Sequence, residues 1–383
     1  MTMLTRYCFR LRSLFVCSLV GLFATGCLEP YAPPAIENTV DLFVVDGFLN
    51  QTDASISVRL SHAVALDDGG KPPVEAQAVV QLEEKDGNTI LLYGDGTGNY
   101  TAAGLSINPE HQYRLHIRTM LGKEYYSDYV DVNPTPDIDS VTWRPSASSI
   151  TLYTNTHDDS GKSRYYLWRY TETFQYRSPY EPGYRMTGGK PDYIAEVDRV
   201  GTCWTTKNST SILVGSSERL SSDVIRDFPL TVIAAGGDKL SVRYSILVEQ
   251  RTLSKDAYTF WTELQKTTES LGGLFDPLPS QVVGNVHSND LSEPVLGYFS
   301  AGQQKSERLF ISFYELPDYL QIYPRVTCQI DSIPLNRLQQ YGEGTYFISP
   351  YGVPSTIGYT ISSSFCMDCR VKGGVTKKPD FWK

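Results

Sequence analysis

Four cysteines lie in the second half of the chain, Cys203, Cys328, Cys366 and Cys369, and the last two form a Cys366-Met367-Asp368-Cys369 pair. Thiols at that spacing suit a redox-active dithiol, half of a zinc site, or the ends of structural disulfides. A lone CxxC with no second CxxC and no clustered histidine is a weak metal signal. An even number of cysteines in an exported chain permits two disulfides, with three possible connectivities. Structural disulfides among these four are the expectation, and no metal site is assigned.

Other reactive constellations are absent or incomplete. No HExxH places two imidazoles on one helix face, and no GxSxG builds a nucleophile elbow. Gly161-Lys162-Ser163 resembles the end of a phosphate loop, but Thr156 stands where the first glycine is required. The histidines at 62, 111, 116, 157 and 287 are scattered singly, which suits strand and surface positions better than ligation. His157-Asp158-Asp159, Asp67-Asp68-Gly69-Gly70 and Asp95 among its glycines could offer oxygens to a cation. None has the alternating ligands and distal Glu of an EF-hand, and Asp and Gly are common turn formers. No catalytic residue and no cofactor follow, and the chain reads as non-enzymatic.

Aromatic residues are more informative. The chain has 26 Tyr, 15 Phe and 5 Trp, concentrated at Tyr165-Tyr166-Leu167-Trp168-Arg169-Tyr170 and again at Tyr176, Tyr180 and Tyr184. Strand alternation puts Tyr166, Trp168 and Tyr170 on one face and Tyr165, Leu167 and Arg169 on the other, so one set is expected in a core. Tyr176, Tyr180 and Tyr184 fall in a Tyr/Pro/Gly-rich stretch, 175–193, that reads as a loop. Exposed rings there are candidate ligand-binding residues for a sugar or a peptide.

The elements that must position these residues are mostly strands. Residues 40–132 carry at least six short alternating runs broken by turn signals at Asp86-Gly87, Gly94 to Asn99 and Gly122-Lys123. That pattern fits an immunoglobulin-like or transthyretin-like β-sandwich over 38–135, closed by Pro134-Thr135-Pro136. Residues 136–383 read as a larger β-rich domain with one amphipathic helix. Ser254 is its candidate N-cap, Ala257, Phe260, Trp261 and Leu264 recur at helical spacing through Leu271, and Gly272-Gly273 stops it. The fold class is therefore mainly β.

The first 27 residues specify a destination. Arg6, Arg10 and Arg12, an apolar run from Leu14 to Phe23, and Ala24-Thr25-Gly26 before Cys27 match a secretory signal peptide over 1–26 with a lipidation cysteine behind it. Residues 27–37 then read as a lipidated, Pro-rich tether. Losing the three leader arginines takes the formal charge from −9 to −12. So acidic a chain lacks the footprint of nucleic-acid binding. A composition of 41 % hydrophobic and 20 % charged residues suits a globular core. The only long apolar run is N-terminal, which rules out a multi-span membrane protein.

Several blocks together resemble the domain-of-unknown-function 4249 family of Bacteroidota lipoproteins. They are Ile138 to Val141, Ala257 to Trp261, Asp276-Pro277-Leu278-Pro279-Ser280 with Gly284-Asn285-Val286, Val295 to Ala301, Cys366 to Arg370 and Lys378 to Trp382. The resemblance spans essentially the mature chain. It implies an outer-membrane, lipid-anchored protein commonly found with TonB-dependent, SusC-like receptors, and brings no catalytic residues. Surface-exposed lipoproteins of that group often carry an acid-rich stretch after the lipidated cysteine, whereas this chain has only Glu29, so either membrane face stays open. The expected function is an accessory role beside such a transporter in cargo capture or gating. The alternative is a free-standing surface glycan- or peptide-binding lipoprotein.

Overall fold

The long strands form where β-prone residues alternate and a turn residue can reverse the chain. The computed structural model describes residues 42–63, 72–269, 282–290 and 292–383. Cys27, the signal peptide, the tether, Asp67 to Gly70, Leu271 to Gly273 and Asp276 to Ser280 lie outside the described residues.

Phe43–Asn50 pairs antiparallel with Ser55–His62, register Phe43 opposite His62 through Asn50 opposite Ser55. Period-two alternation then turns Phe43, Val45 and Leu49 inward with Ile56, Val58 and Leu60, all essentially buried. They meet Val80, Leu82, Leu115, Ile117 and Tyr125 of the facing strands, completing a sandwich-like core. Gly47 belongs to the inward set, and a Cβ there would stand 2.8 Å from Leu115 and 3.0 Å from Phe299. A side chain there would require the Leu115 and Phe299 side chains to shift.

This first sandwich draws on both of the chain segments that the sequence divides at residue 135. Val295–Gly302 inserts parallel to Phe43–Asn50, and its far edge pairs with Val130–Asn133. Val286–Ser288 adds to Glu124–Ser127 at the end of the facing layer. The described residues form one compact unit.

A second sandwich packs Ile138–Pro145, Ser149–His157 and Val224–Ala234 over a five-stranded sheet. The 13-residue strand Tyr165–Arg177 is the spine of that sheet. It pairs with Leu213–Ser216 at its start, Thr202–Asn208 at its end, and Arg243–Thr252 along its other edge. Tyr166, Trp168, Phe174 and Tyr176 point into the sandwich core, and Leu167 is buried on the opposite face. Both aromatic faces are therefore used for packing.

The helix Lys255–Glu269 explains that second burial. Ser254 Oγ accepts the Ala257 N–H at 3.1 Å, satisfying one of the orphan donors of the first turn. Ala257 and Phe260 are buried with Leu42, Leu167, Leu253, Leu296 and Tyr298, and Trp261 and Leu264 pack alongside. The helix thus fills the angle between the outer faces of the two sandwiches. Arg169 pairs with Asp46 at 2.8 Å, and the Arg251 guanidinium lies 3.5 Å from the centre of the Phe48 ring.

The stretch 175–193 differs from the expected loop. It contains a hairpin, Tyr184–Thr187 with Lys190–Tyr193, turned by Gly188-Gly189 with both glycines at positive φ. Two adjacent glycines supply the left-handed conformation a two-residue hairpin loop needs. Tyr346–Phe347 adds a third strand, and Met186, Leu338 and Phe347 form a small separate core. Near the C-terminus, Trp382 is buried in edge-on contact with Trp204 and Phe310, which pins the last residues to the second sandwich.

Candidate functional site

Cys203, Cys328, Cys366 and Cys369 form two disulfides, Cys203–Cys369 and Cys328–Cys366. Of the three pairings open from sequence, the structure selects one that splits the CxxC pair between different partners. Four elements are tied by these bonds: the strand Thr202–Asn208, the irregular segment 321–330, and the short helical turns Ser364–Met367 and Cys369–Lys372.

The proposed aromatic triad is not one exposed face. Tyr176 is a core residue, 2 % exposed, because it falls on the inward phase of the Tyr165–Arg177 strand; its hydroxyl donates to the Cys369 carbonyl at 2.8 Å. Tyr184 is half-buried in the hairpin, edge-on to Tyr193 and Tyr359. Tyr180 is half-buried with its N–H donating to the Cys366 carbonyl at 3.0 Å.

Exposed rings occur instead at Tyr314 and Tyr323, 78 % and 60 % exposed. The strand Lys305–Ser312 ends where the Glu315 side chain accepts the Ser312 N–H, and Phe313–Glu315 winds into a 3-10 turn. That turn buries Phe313 and throws Tyr314 outward. Tyr323 stacks on Phe313 at 4.5 Å and 26°, while Tyr314 meets Phe313 edge-on at 5.4 Å. A hydrogen bond to Tyr314, aided by desolvation, raises the Tyr323 phenol above its ordinary pKa.

These rings form one side of a cavity of about 390 Å³. Arg177, Ser178 and Pro179 enter from the end of the spine strand, Val242 follows the Asp238–Leu240 turn, and Pro324 and Val326 continue from Tyr323. Lys372 closes the wall, with Nζ 3.1 Å from Asp238 Oδ2. Both disulfides frame this cavity: Cys369 fixes the turn that carries Lys372, and Cys328 sits two residues beyond Val326. Arg177 is exposed and has no ion-pair partner among the described residues. The Ser178 hydroxyl is buried without a hydrogen-bond partner among them. Sequence reading missed the site because its rings come from single tyrosines separated in the chain; the signal was Phe313-Tyr314 beyond a strand and Tyr323 before Pro324.

A larger cavity of about 780 Å³ lies along the helix, lined by Asp46, Arg169, Glu249, Arg251 and Trp261. Its charges are already paired or bridged, since Gln304 accepts from Arg251 Nε and donates to Glu249. Burial and the neighbouring Arg169 lower the Arg251 guanidinium to about 10. It reads as the seam between the sandwiches.

Several histidines pair with carboxylates, and His157 also has Asp159 at 3.8 Å. His111 meets Glu84 at 2.6 Å, His116 meets Glu83 at 3.2 Å, His157 meets Asp139 at 2.7 Å and His287 meets Asp128 at 3.2 Å. Among the described residues, no group of three or more His, Cys, Asp or Glu could hold a metal ion. Asp95 closes its own turn, accepting from Thr97 and Asn99. Asp158 accepts the N–H groups of Ser160 and Ser163, each at 2.9 Å. No helix among the described residues is long and apolar enough to cross a membrane.

A family model described as "Domain of unknown function (DUF4249)" matches residues 28–308. No curated protein matches the chain.

Proposed function

The chain belongs to the DUF4249 family, and from that premise we propose that it is a non-enzymatic, lipid-anchored outer-membrane protein acting as accessory partner of a TonB-dependent, SusC-like transporter. It captures cargo, and the cavity beside Tyr314 and Tyr323 is the capturing site. The carrying observation is that two disulfides brace the segments around a cavity of mixed apolar and charged lining with exposed rings at its mouth. Rigid aromatic side chains on a fixed frame bind at low entropic cost. Cys27 behind its leader supports the anchor, and the acidic, β-rich architecture suits an extracytoplasmic docking module.

A mild-detergent pull-down of the native lipoprotein from crosslinked outer membranes, read by mass spectrometry, tests the partnership. One TonB-dependent receptor in stoichiometric yield is the expected result. Recovery of the lipoprotein alone, with unchanged cargo uptake after gene deletion, would refute it. The second reading, a free-standing glycan- or peptide-binding lipoprotein, is favoured by the exposed Tyr314 and Tyr323 rings at the cavity mouth. It predicts ligand binding by the isolated protein with no receptor recovered.

A further inference from the structure

We propose that this cavity selects amphipathic carboxylates, taking an apolar or aromatic body between Tyr323 and Val326 and the carboxylate on Arg177. The inference rests on the reading of the cavity as a binding site and names its ligand chemistry.

Charge is the first argument. The cavity carries two cations, and they are not equivalent. Lys372 is neutralised by Asp238, at 3.1 and 3.3 Å from its two oxygens. Arg177 has no such partner among the described residues, on a chain whose formal charge is −9. An uncompensated guanidinium beside apolar walls is a fork for a planar carboxylate, which it can grip through two parallel N–H···O bonds.

The walls supply the second argument. Pro179, Val242, Phe313, Pro324 and Val326 offer no side-chain hydrogen bonds; the polar lining besides Arg177 and the Lys372–Asp238 pair is Ser178, Ser241 and the exposed hydroxyls of Tyr314 and Tyr323. The Ser241 hydroxyl is already donated to the Asp238 carbonyl at 2.8 Å. A sugar ring needs partners for several hydroxyls, and a polar group buried without one costs free energy. An apolar body asks for none. A volume of about 390 Å³ suits one large side chain with its neighbouring groups.

The test uses the full mature protein in detergent, at fixed ionic strength, titrated with N-acetyl-phenylalanine and with N-acetyl-phenylalaninamide. The acid is expected to bind at least about tenfold tighter than the amide, the scale of one charge-assisted contact. Arg177→Gln should abolish that preference, and Tyr323→Ala should weaken both probes. Equal binding of acid and amide by the wild type overturns the carboxylate selection but leaves the cavity a binding site. Binding of neither probe overturns both. The tetrapeptide Ala-Ala-Ala-Phe with a free terminus separates the sources: affinity like the small acid assigns a peptide terminus, and exclusion assigns a small free carboxylate, both in keeping with the proposal.

Discussion

The Tyr176 hydroxyl donates to the Cys369 carbonyl oxygen at 2.8 Å, joining positions 193 apart in the chain. Cys369 is at the same time bonded to Cys203, the residue directly opposite Tyr176 in the neighbouring strand. One tyrosine, one disulfide and one strand pair thus lock the C-terminal turn onto the second sandwich. Tyr176 contributes to the cavity indirectly, by holding the turn that carries Lys372.

Tyr176→Phe should accordingly cost about 1–3 kcal/mol of folding stability, the range for removing one partner of a buried hydrogen bond. Tyr323→Phe, at an exposed position, should change stability by less than about 0.5 kcal/mol. Urea denaturation of the two variants makes the comparison; equal effects would refute the assignment of Tyr176 to the core.

Thiol labelling of the unreduced protein should find Cys203, Cys328, Cys366 and Cys369 all protected. Loss of either bridge should cost about 2–5 kcal/mol by the loop-constraint argument. The Cys203–Cys369 bridge, spanning 166 positions, should cost about 1 kcal/mol more than Cys328–Cys366, which spans 38. Reduction should also weaken binding in the cavity, because both bridges hold its walls. Four free thiols in the protein purified without reductant would defeat the prediction.

Tyr314→Ala and Tyr323→Ala should each weaken ligand binding by about 1 kcal/mol or more, as interface aromatic anchors do, while leaving the fold intact. Tyr176→Ala should instead lower the melting temperature. Calorimetric titration alongside thermal unfolding separates the two classes, and unchanged affinity in both Tyr314 and Tyr323 variants would remove the site.

Asp158 gives a pH signature. Burial pushes its carboxyl up, but hydrogen bonds from Ser160 and Ser163 outweigh that and hold it at about 2, against an ordinary 3.8. A depressed folded pKa adds stability that is fully present above the unfolded value and disappears as pH falls through the folded one. Wild-type stability should therefore drop between about pH 4 and pH 2, and Asp158→Asn should drop less steeply there. Parallel pH profiles for the two proteins would contradict the assignment.

Ser254→Ala removes the acceptor for the Ala257 N–H and should cost about 1 kcal/mol, while Ser254→Asp should retain most of the stability. Chemical denaturation of both variants checks the cap. Because the helix packs against both sandwiches, the loss should appear in the unfolding transition of the whole described unit.

The sequence alone determined what depends on neighbours in the chain. Alternation placed Val45, Val58 and Trp168 in strands, the Ser254 cap and 3.6-residue spacing located the helix, and cysteine parity implied two bridges. Local rules failed where backbone and side chains were set by distant partners. Gly188-Gly189 is a hairpin signal set inside a Tyr-rich stretch, and the strand's continuation through Tyr176 to Arg177 depends on its neighbour Thr202–Asn208. Only the tertiary structure could decide which cysteines pair, that Val295–Gly302 would insert beside Phe43–Asn50, and that Arg177, Tyr323 and Lys372 would border one cavity. Periodicity is written into a few consecutive residues, but the meeting of positions 177, 323 and 372 exists only after long-range strand pairing and two disulfides have closed the intervening chain.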